Sequence, residues 1–197
     1  ENAIKPFPLC RYNHQTLDLV IDYQKENNVD TKKISSITID MPKYGVQLCG
    51  SPIEQKRSPQ SPVDAQFSGC FAVALALTEQ RADMTTFTGA LDRGLSDEFK
   101  RLMSITNIEQ ADDLDAIHPE FWPGRVKMII DGDDVELYGK HMRGERERPM
   151  TIEEVQDKFR DLSPKHDEKN RKEVFDAIDN LENASIDDLL MPLRKTS

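Results

Sequence analysis

Four side chains that could do chemistry stand close together near the start of the chain: Lys5, Cys10, Arg11 and His14. An arginine can hold a carboxylate with two parallel hydrogen bonds, and a desolvated lysine or an imidazole can exchange a proton near neutral pH. The thiol of Cys10 would line the same site. These residue types at this spacing predict a carboxylate-binding site that carries proton-transfer groups.

A helix must position this group, because apolar residues recur at helical spacing directly after it. These residues are Leu17, Val20 and Ile21. Pro6 and Pro8 favour an extended chain up to residue 9, and Asn13 is a favourable N-cap. His14 would then lie in the first helical turn and Arg11 just outside it. The free N–H groups and the dipole of a helix N-terminus attract anions, which strengthens the prediction.

Each of these residues also has an ordinary explanation. A proline-rich lead-in to a capped helix is commonly just a way into the helix, and a single cysteine is more often a small buried hydrophobe than a nucleophile. A lysine near a terminus is usually solvated. Taken one at a time, the residues favour that ordinary explanation.

Three segments of the chain resemble one known family. Residues 5–14, Lys-Pro-Phe-Pro-Leu-Cys-Arg-Tyr-Asn-His, resemble the segment Lys-Pro-Tyr/Phe-Pro-x-Cys-Arg-x-x-His of the MmgE/PrpD family. This family includes 2-methylcitrate dehydratases, cis-aconitate decarboxylases and iminodisuccinate epimerases. Residues 65–75 resemble a helix of the same family, and residues 143–149 resemble its Lys/Arg-Gly-Asp-x-x-x-Pro linker. The similarity covers most of residues 5–162.

The resemblance implies cofactor-independent chemistry on a small di- or tricarboxylate such as 2-methylcitrate. Proton abstraction next to a carboxylate would give dehydration or epimerisation. Decarboxylation is disfavoured, because the family's decarboxylases carry a tyrosine near Gly69 that this chain lacks. The catalytic residues would be Lys5, His14 and Cys10. The substrate-binding residues would be Arg11, Tyr12, Gln66 and Ser68.

Two alternatives remain open at the level of the sequence. Gln66 and Ser68 could simply bond neighbouring backbone. The whole chain could be a non-catalytic subunit, in which the same anion pocket binds a metabolite or packs on another polypeptide.

Composition disfavours several other classes of function. The 197 residues are 37% hydrophobic and carry a net charge of −10, which disfavours a nucleic acid or an anionic membrane as partner. No apolar run reaches membrane-spanning length and no signal peptide opens the chain, so we expect a cytosolic protein or one of the mitochondrial matrix. The three cysteines have neither a disulfide-framework nor a metal spacing, so we expect reduced thiols, no cofactor and no metal site.

The patterning predicts an α+β fold. Residues 34–41 alternate as a half-buried strand, residues 44–61 are typical of a loop, and residues 125–130 with 135–142 form a hairpin. Residues 109–115 are expected to be an acidic connector, and Ser61 to cap one long apolar helix. We therefore expect an α+β domain over residues 1–149, with an antiparallel sheet covered by helices on one face.

Residues 150–197 predict amphipathic helices, the first opened by a capping box at Thr151. Their apolar stripes need a partner, which the resemblance identifies as an all-helical domain that is missing here or belongs to a separate chain. The expected partners are this helical domain or subunit and a second copy of the chain in a homodimer.

Overall fold

The fold contains one sheet and eleven α-helical segments within residues 3–194, which are the residues that the computed structural model describes. The chain divides into two compact units, residues 1–150 and residues 151–197. The first unit holds the sheet and the predicted site, and the second holds three helices.

The sheet has four strands: β1 (Ile34–Met41), β2 (Thr106–Gln110), β3 (Gly124–Ile130) and β4 (Asp133–Gly139). Their order is β2-β1-β3-β4, with β1 parallel to β2 and the other pairs antiparallel. The α+β class is confirmed, but the expectation of a purely antiparallel sheet is wrong. Parallel pairing is possible here because the chain between β1 and β2 makes a long helical crossover, as parallel neighbours require.

Strand β2 occupies part of the segment that was expected to be an acidic connector. It pairs with β1 along one side only and therefore lies at the edge of the sheet. Glu109 and Gln110 are exposed on it, whereas Thr106 is buried. An edge strand with so few apolar residues gives almost no alternation, which explains why the sequence did not reveal it.

One face of the sheet is covered by helices, as expected. Its buried side chains are Ile37, Ile39, Met41, Val126 and Met128. Helix α1 (His14–Asn27) packs against β3 and β4, and helix α5 (Gly69–Glu79) packs against α1 and β2. The residues of β1 and β3 that alternate with the core are polar or partly exposed, so the opposite face of the sheet is not part of this core.

The helical path begins earlier than the sequence indicates. A 3₁₀ turn, Arg11–Asn13, runs directly into α1, and Cys10 stands at the N-cap position of that turn. Asn13 occupies the N-cap position of α1, as predicted, but its side chain makes no capping bond. Its side chain is buried instead and donates to the carbonyl of Gln66. Asn28 closes α1 in the left-handed conformation.

Residues 43–66 contain several short helical turns, three of which lie within or at the edge of residues 44–61, where mostly loop was expected. They are α2 (Lys43–Gly45), a π-helical turn (Val46–Gly50), α3 (Ile53–Arg57) and α4 (Pro62–Gln66). The long helix expected after Ser61 is interrupted, because Ser68 forms a second N-cap that starts α5. Short turns of this kind are fixed by packing on the sheet rather than by local propensity.

The first unit has four further elements, of which the predicted hairpin is confirmed and a helical turn lies in the expected acidic connector. They are α6 (Met84–Arg93), α7 (Asp97–Ser104), a single turn α8 (Asp112–Asp115) and the β3–β4 hairpin. The hairpin turn places Asp131 and Gly132 at positive φ, which is typical of tight two-residue connections. The second strand ends at Gly139, so His141 lies beyond it.

The second unit consists of α9 (Ile152–Leu162), α10 (Glu168–Asp179) and α11 (Ile186–Arg194). The capping box of Thr151 and Glu154 is confirmed. Several large apolar side chains of this unit are exposed, among them Ile152, Leu162, Leu181 and Ile186. Across residues 3–194, no helix combines the length and the apolar character that a membrane crossing needs.

Candidate active site

Backbone contacts from distant parts of the chain hold the segment that precedes α1. The N–H of Ile4 donates to Gly144 at 2.9 Å, and the N–H of Cys10 donates to Gln66 at 2.9 Å. The side-chain amide of Gln66 donates back to the carbonyl of Pro8 at 2.8 Å. The prolines remove donors from this segment, so these few bonds fix its path.

Cys10 is half-buried at the start of the helical path. Its sulfur contacts the buried thiol of Cys49, which the π-helical turn presents. This contact, the N–H groups of Tyr12 and Arg11, and the charge of Lys5 together lower the pKa of Cys10 to about 6, against the opposing effect of burial. The lowered pKa favours the thiolate of Cys10, which is the form that acts as a base and a nucleophile.

The pKa of Cys49 moves in the opposite direction. Its contact with Cys10 and its burial both disfavour a second negative charge, so the pKa of this thiol lies far above its ordinary value. Burial alone raises the pKa of Cys70 to about 12. The three thiols thus differ sharply in pKa, and the one with the lowered pKa, Cys10, is at the predicted site.

Arg11 reaches across the loop that follows β4. Its guanidinium donates to Glu145 at 2.6 Å and lies 4.2 Å from the ring centre of Trp122. The Arg11 side chain is still 42% exposed, whereas Glu145 is 13% exposed. Since a guanidinium has five N–H donors, the ion pair leaves donors for a ligand carboxylate while it fixes the orientation of the group.

Tyr12 belongs to an aromatic cluster. Its hydroxyl lies 3.3 Å from Nε2 of His118, and its ring is 4.9 Å from that of Trp122. Burial raises the pKa of Tyr12, so the phenol stays protonated. With exposed Tyr44 next to His118, this cluster forms a partly open aromatic wall beside Arg11.

His14 is placed differently from the other predicted catalytic residues. It is 1% exposed, its Nε2 lies 3.1 Å from the carbonyl oxygen of Leu9, and its ring packs edge-on against Phe7. Such contacts hold the Pro-rich segment on the helix. A catalytic role for His14 stays a prediction, and its burial favours a supporting role.

Gln66 and Ser68 bond backbone groups in this structure. Ser68 is fully buried, donates to the carbonyl of Lys56 at 2.5 Å and caps α5 by accepting from Phe71. Gln66 binds Pro8 through its side chain and Cys10 through its backbone. Both residues therefore support the segment that carries Cys10, and their contact with a substrate stays a prediction.

Lys5 is exposed on the same segment, and its charge acts on Cys10. The structure thus brings together Lys5, Cys10, Arg11 and Tyr12 at the beginning of the helical path. Sequence reasoning missed their partners Cys49, Trp122, His118 and Glu145, which lie far away in the chain. A tryptophan and a histidine in a Pro-rich loop were the only signal that could have found two of them.

An ion-pair network fixes the loop that carries Glu145. Asp18 of α1 is fully buried, accepts the backbone N–H of Arg143 at 2.6 Å and lies 3.4 Å from the guanidinium of Arg148. Asp22, one turn later, binds both arginines. Burial raises the pKa of Asp18 despite these partners. Helix α1 therefore positions Arg11 directly and Glu145 through this network.

One group of side chains within residues 3–194 has a geometry that could hold a metal ion. Ligand atoms of His141, Glu145 and Glu147 lie within 4.8 Å of one another. Arg11 already neutralises Glu145, and an added cation would lie close to that guanidinium. The donor set therefore fits a metal poorly, and the expectation of no metal site stays a prediction.

The family is shown by comparison with known proteins. The model of the MmgE/PrpD C-terminal domain matches residues 7–183, so this chain belongs to that family. The family consists of enzymes of the dehydratase and lyase type. No curated protein sequence matches the chain significantly.

Proposed function

We propose that this chain contributes to an enzyme that acts on a small di- or tricarboxylate, such as 2-methylcitrate, by abstracting a proton next to a carboxylate. Dehydration or epimerisation would follow, without a cofactor. The observation that carries the proposal is the group of Lys5, Cys10 and Arg11 at the start of the helical path, where the charge of Lys5 and the N–H group of Arg11 help to lower the pKa of the Cys10 thiol. Cys10 and Arg11 lie within the residues that match the family model.

Arg11 has the geometry of a carboxylate anchor. Glu145 and Trp122 hold its guanidinium in place, and the side chain is still 42% exposed. Tyr12 and the neighbouring rings supply one wall of the pocket. In this proposal Gln66, Ser68 and His14 position the segment rather than touch the substrate.

Proton transfer is assigned to Lys5 and Cys10. A thiolate with a pKa of about 6 can accept a proton near neutral pH, and the ammonium of Lys5 can stabilise the charge that develops or return a proton. Placing base and cation side by side is effective, because the cation favours the ionised base before reaction and the anionic intermediate after it.

The proposed active assembly includes a helical domain or subunit. The chain would supply one side of the pocket. The exposed apolar side chains of α9–α11 would pack against the helical partner. A homodimer, with this assembly in each half, is part of the proposal.

The test compares Arg11→Lys with Lys5→Arg in the active assembly. Arg11→Lys should raise KM, since an ammonium cannot reproduce two parallel bonds, at a cost of about 1.5–3 kcal/mol. Lys5→Arg should lower kcat, because arginine does not release its proton at accessible pH. Lys32→Arg, on an exposed turn away from the site, is the matched control.

Steady-state kinetics, with circular dichroism as a check on folding, give the readout. If Lys5→Arg keeps full kcat, Lys5 is only an electrostatic anchor and the acid–base role falls to Cys10 or to the helical partner. If the assembly binds carboxylates through Arg11 without turning any of them over, the non-catalytic, anion-binding alternative is correct.

A further inference from the structure

Two cysteines that are distant in sequence meet beside the site. Cys10 stands at the N-cap of the turn before α1, and Cys49 lies in the π-helical turn. Their side chains are in hydrogen-bond contact, and the amide of Asn13 also contacts Cys49. π-helical turns are rare and frequently present a side chain for function.

The two thiols have complementary accessibility. Cys10 is half-buried, whereas Cys49 is completely buried. Cys10 is therefore the more accessible of the two residues to a small oxidant. Lys5 and the N–H groups of Tyr12 and Arg11 stabilise negative charge on Cys10, so the reachable sulfur is also the nucleophilic one.

We propose that Cys10 and Cys49 form a peroxide-sensitive thiol pair, in which Cys10 is the reacting cysteine and Cys49 the resolving one. This modification site is separate from the binding of a carboxylate. The third cysteine, Cys70, takes no part, because it is fully buried on α5 and contacts the carbonyl of Thr106.

The chemistry balances with hydrogen peroxide as the oxidant. The thiolate of Cys10 attacks one peroxide oxygen, the O–O bond breaks, and hydroxide leaves as water after taking a proton, which gives a sulfenic acid on Cys10. The sulfur of Cys49 then attacks the sulfenic sulfur, and the departing hydroxyl leaves as a second water with the proton of Cys49. Two thiols are oxidised to one disulfide and one peroxide is reduced to two waters.

The first oxidation makes the second step easier. The contact with the Cys10 thiolate is the main reason why Cys49 resists ionisation. Once Cys10 is a neutral sulfenic acid, this repulsion disappears, and the sulfurs need only approach from contact to about 2.05 Å.

Loss of activity on oxidation is a second consequence, which rests on the proposed function. A disulfide removes the thiolate charge beside Lys5 and Arg11, so turnover should fall and return with a thiol reductant. The formation of the disulfide itself does not depend on any catalytic role of the site.

Peptide mapping tests the pair directly. Trypsin leaves the cysteines on three peptides, because cleavage occurs after Arg11, Lys43, Lys56 and Arg81. The protein, with any polypeptide that co-purifies, is treated with hydrogen peroxide, alkylated and digested without reductant. We expect a cross-link of the Cys10 and Cys49 peptides, in at least about tenfold excess over any cross-link to Cys70.

Variants separate the two roles. Cys49→Ser should abolish the cross-link and leave a sulfenic acid on Cys10 that dimedone traps, whereas Cys70→Ser should behave like the unchanged protein. Cys10→Ser should leave Cys49 reduced, which provides a second route if Cys49→Ser misfolds by circular dichroism. A folded, peroxide-treated protein without the cross-link, or with Cys70 as the preferred partner, would overturn the proposal.

If the cross-link forms but activity is unaffected by it, the thiol pair stands and the catalytic use of Cys10 is wrong. If activity is present and sensitive to peroxide while no cross-link forms, the proposed function stands and the thiol pair is wrong.

Discussion

In the proposed function, the chemistry depends most on the environment of a single sulfur. Cys10 is partly buried, and it interacts with a buried thiol, with backbone N–H donors and with the charge of a lysine. These interactions favour the thiolate, whereas burial opposes it. Cys70 is fully buried, and burial shifts its pKa in the opposite direction. Contact with Cys49, which no short motif reveals, separates the two.

A pH titration of alkylation should show this difference. Because the pKa of Cys10 is lowered to about 6, its thiolate is present above that pH and is lost as the pH falls through it. Iodoacetamide labelling of Cys10, followed by mass spectrometry, should rise with a midpoint near pH 6. Cys70, with a pKa of about 12, should stay unlabelled below pH 9 in the folded protein.

A midpoint for Cys10 near the ordinary thiol value would contradict this assignment. Labelling of Cys70 at the same rate would show instead that the protein is unfolded under the conditions used.

At the residue scale the sequence predicted Lys5, Cys10 and Arg11 but not their partners. Proline geometry and helical spacing are local signals, and they brought these residues to one place. Glu145 and Trp122 bind Arg11 from more than a hundred residues away, so only the tertiary fold could reveal them. The burial of His14 has the same explanation, since Phe7 and Leu9 fold back over it.

Among the elements, the π-helical turn has little room for a larger residue at Gly50. A Cβ at Gly50 would lie 2.6 Å from Cγ2 of Ile108, a branched side chain on β2 that cannot easily move. Gly50→Ala should therefore lower the free energy of unfolding by about 1–3 kcal/mol, and Ile108→Ala in the same chain should restore part of it. Thermal or urea denaturation measures both effects.

Gly89→Ala is the matched control, because the Cβ would meet only the end of Arg93 on helix α6. In that helix the change should stabilise by up to about 1 kcal/mol. Equal effects of the two substitutions would show that Gly50 is not confined by Ile108.

The loop after β4 depends on a buried carboxylate. Asp18→Asn removes the charge between Arg143 and Arg148 while Asp22 still binds both arginines, so we expect a loss of about 1–3 kcal/mol. Asp22→Asn, at a position that is 38% exposed, should cost about 0.5–1 kcal/mol. Urea unfolding measures the free energy of unfolding of both variants. A larger loss of stability for Asp22→Asn than for Asp18→Asn would contradict this account.

Elements with a strong hydrophobic periodicity could be predicted from the sequence, whereas elements whose form depends on packing could not. Helix α1, strand β1 and the β3–β4 hairpin follow from apolar spacing and turn residues. The parallel edge strand β2 and the short turns of residues 43–66 carry weak patterns, and their form depends on contact with the sheet and with α5. Ser68 was read as a possible ligand contact, although its position before Gly69 is also that of an N-cap.

On the scale of the whole molecule, the α+β class and the family could both be predicted from the sequence. The helical partner could be inferred only from resemblance and from exposed apolar residues on α9–α11, and it stays a proposal.

Removal of metal ions should leave the active assembly unaffected. The group of His141, Glu145 and Glu147 is a poor metal site because Arg11 is bonded to Glu145. Turnover measured before and after treatment with EDTA should therefore be equal. A large loss that a divalent metal restores would show that these residues, or residues of the partner, hold an ion.

The purified chain should by itself be inactive on 2-methylcitrate, cis-aconitate and iminodisuccinate, because it supplies only one side of the proposed pocket. Adding a helical domain or subunit of the family should produce turnover. Robust turnover by the isolated chain would show that the described residues already form a complete site.

Proton abstraction by the assembled site can be measured most directly as deuterium incorporation. The assembly is incubated with 2-methylcitrate or iminodisuccinate in D2O, and NMR follows the carbon next to the carboxylate. We expect enzyme-dependent exchange at that carbon. The exchange should be about 10²–10⁴-fold slower in Lys5→Arg and unchanged in the Lys32→Arg control. Epimerisation of iminodisuccinate without deuterium at that carbon, or exchange that is unchanged in Lys5→Arg and Cys10→Ser, would contradict a proton-transfer role for this site.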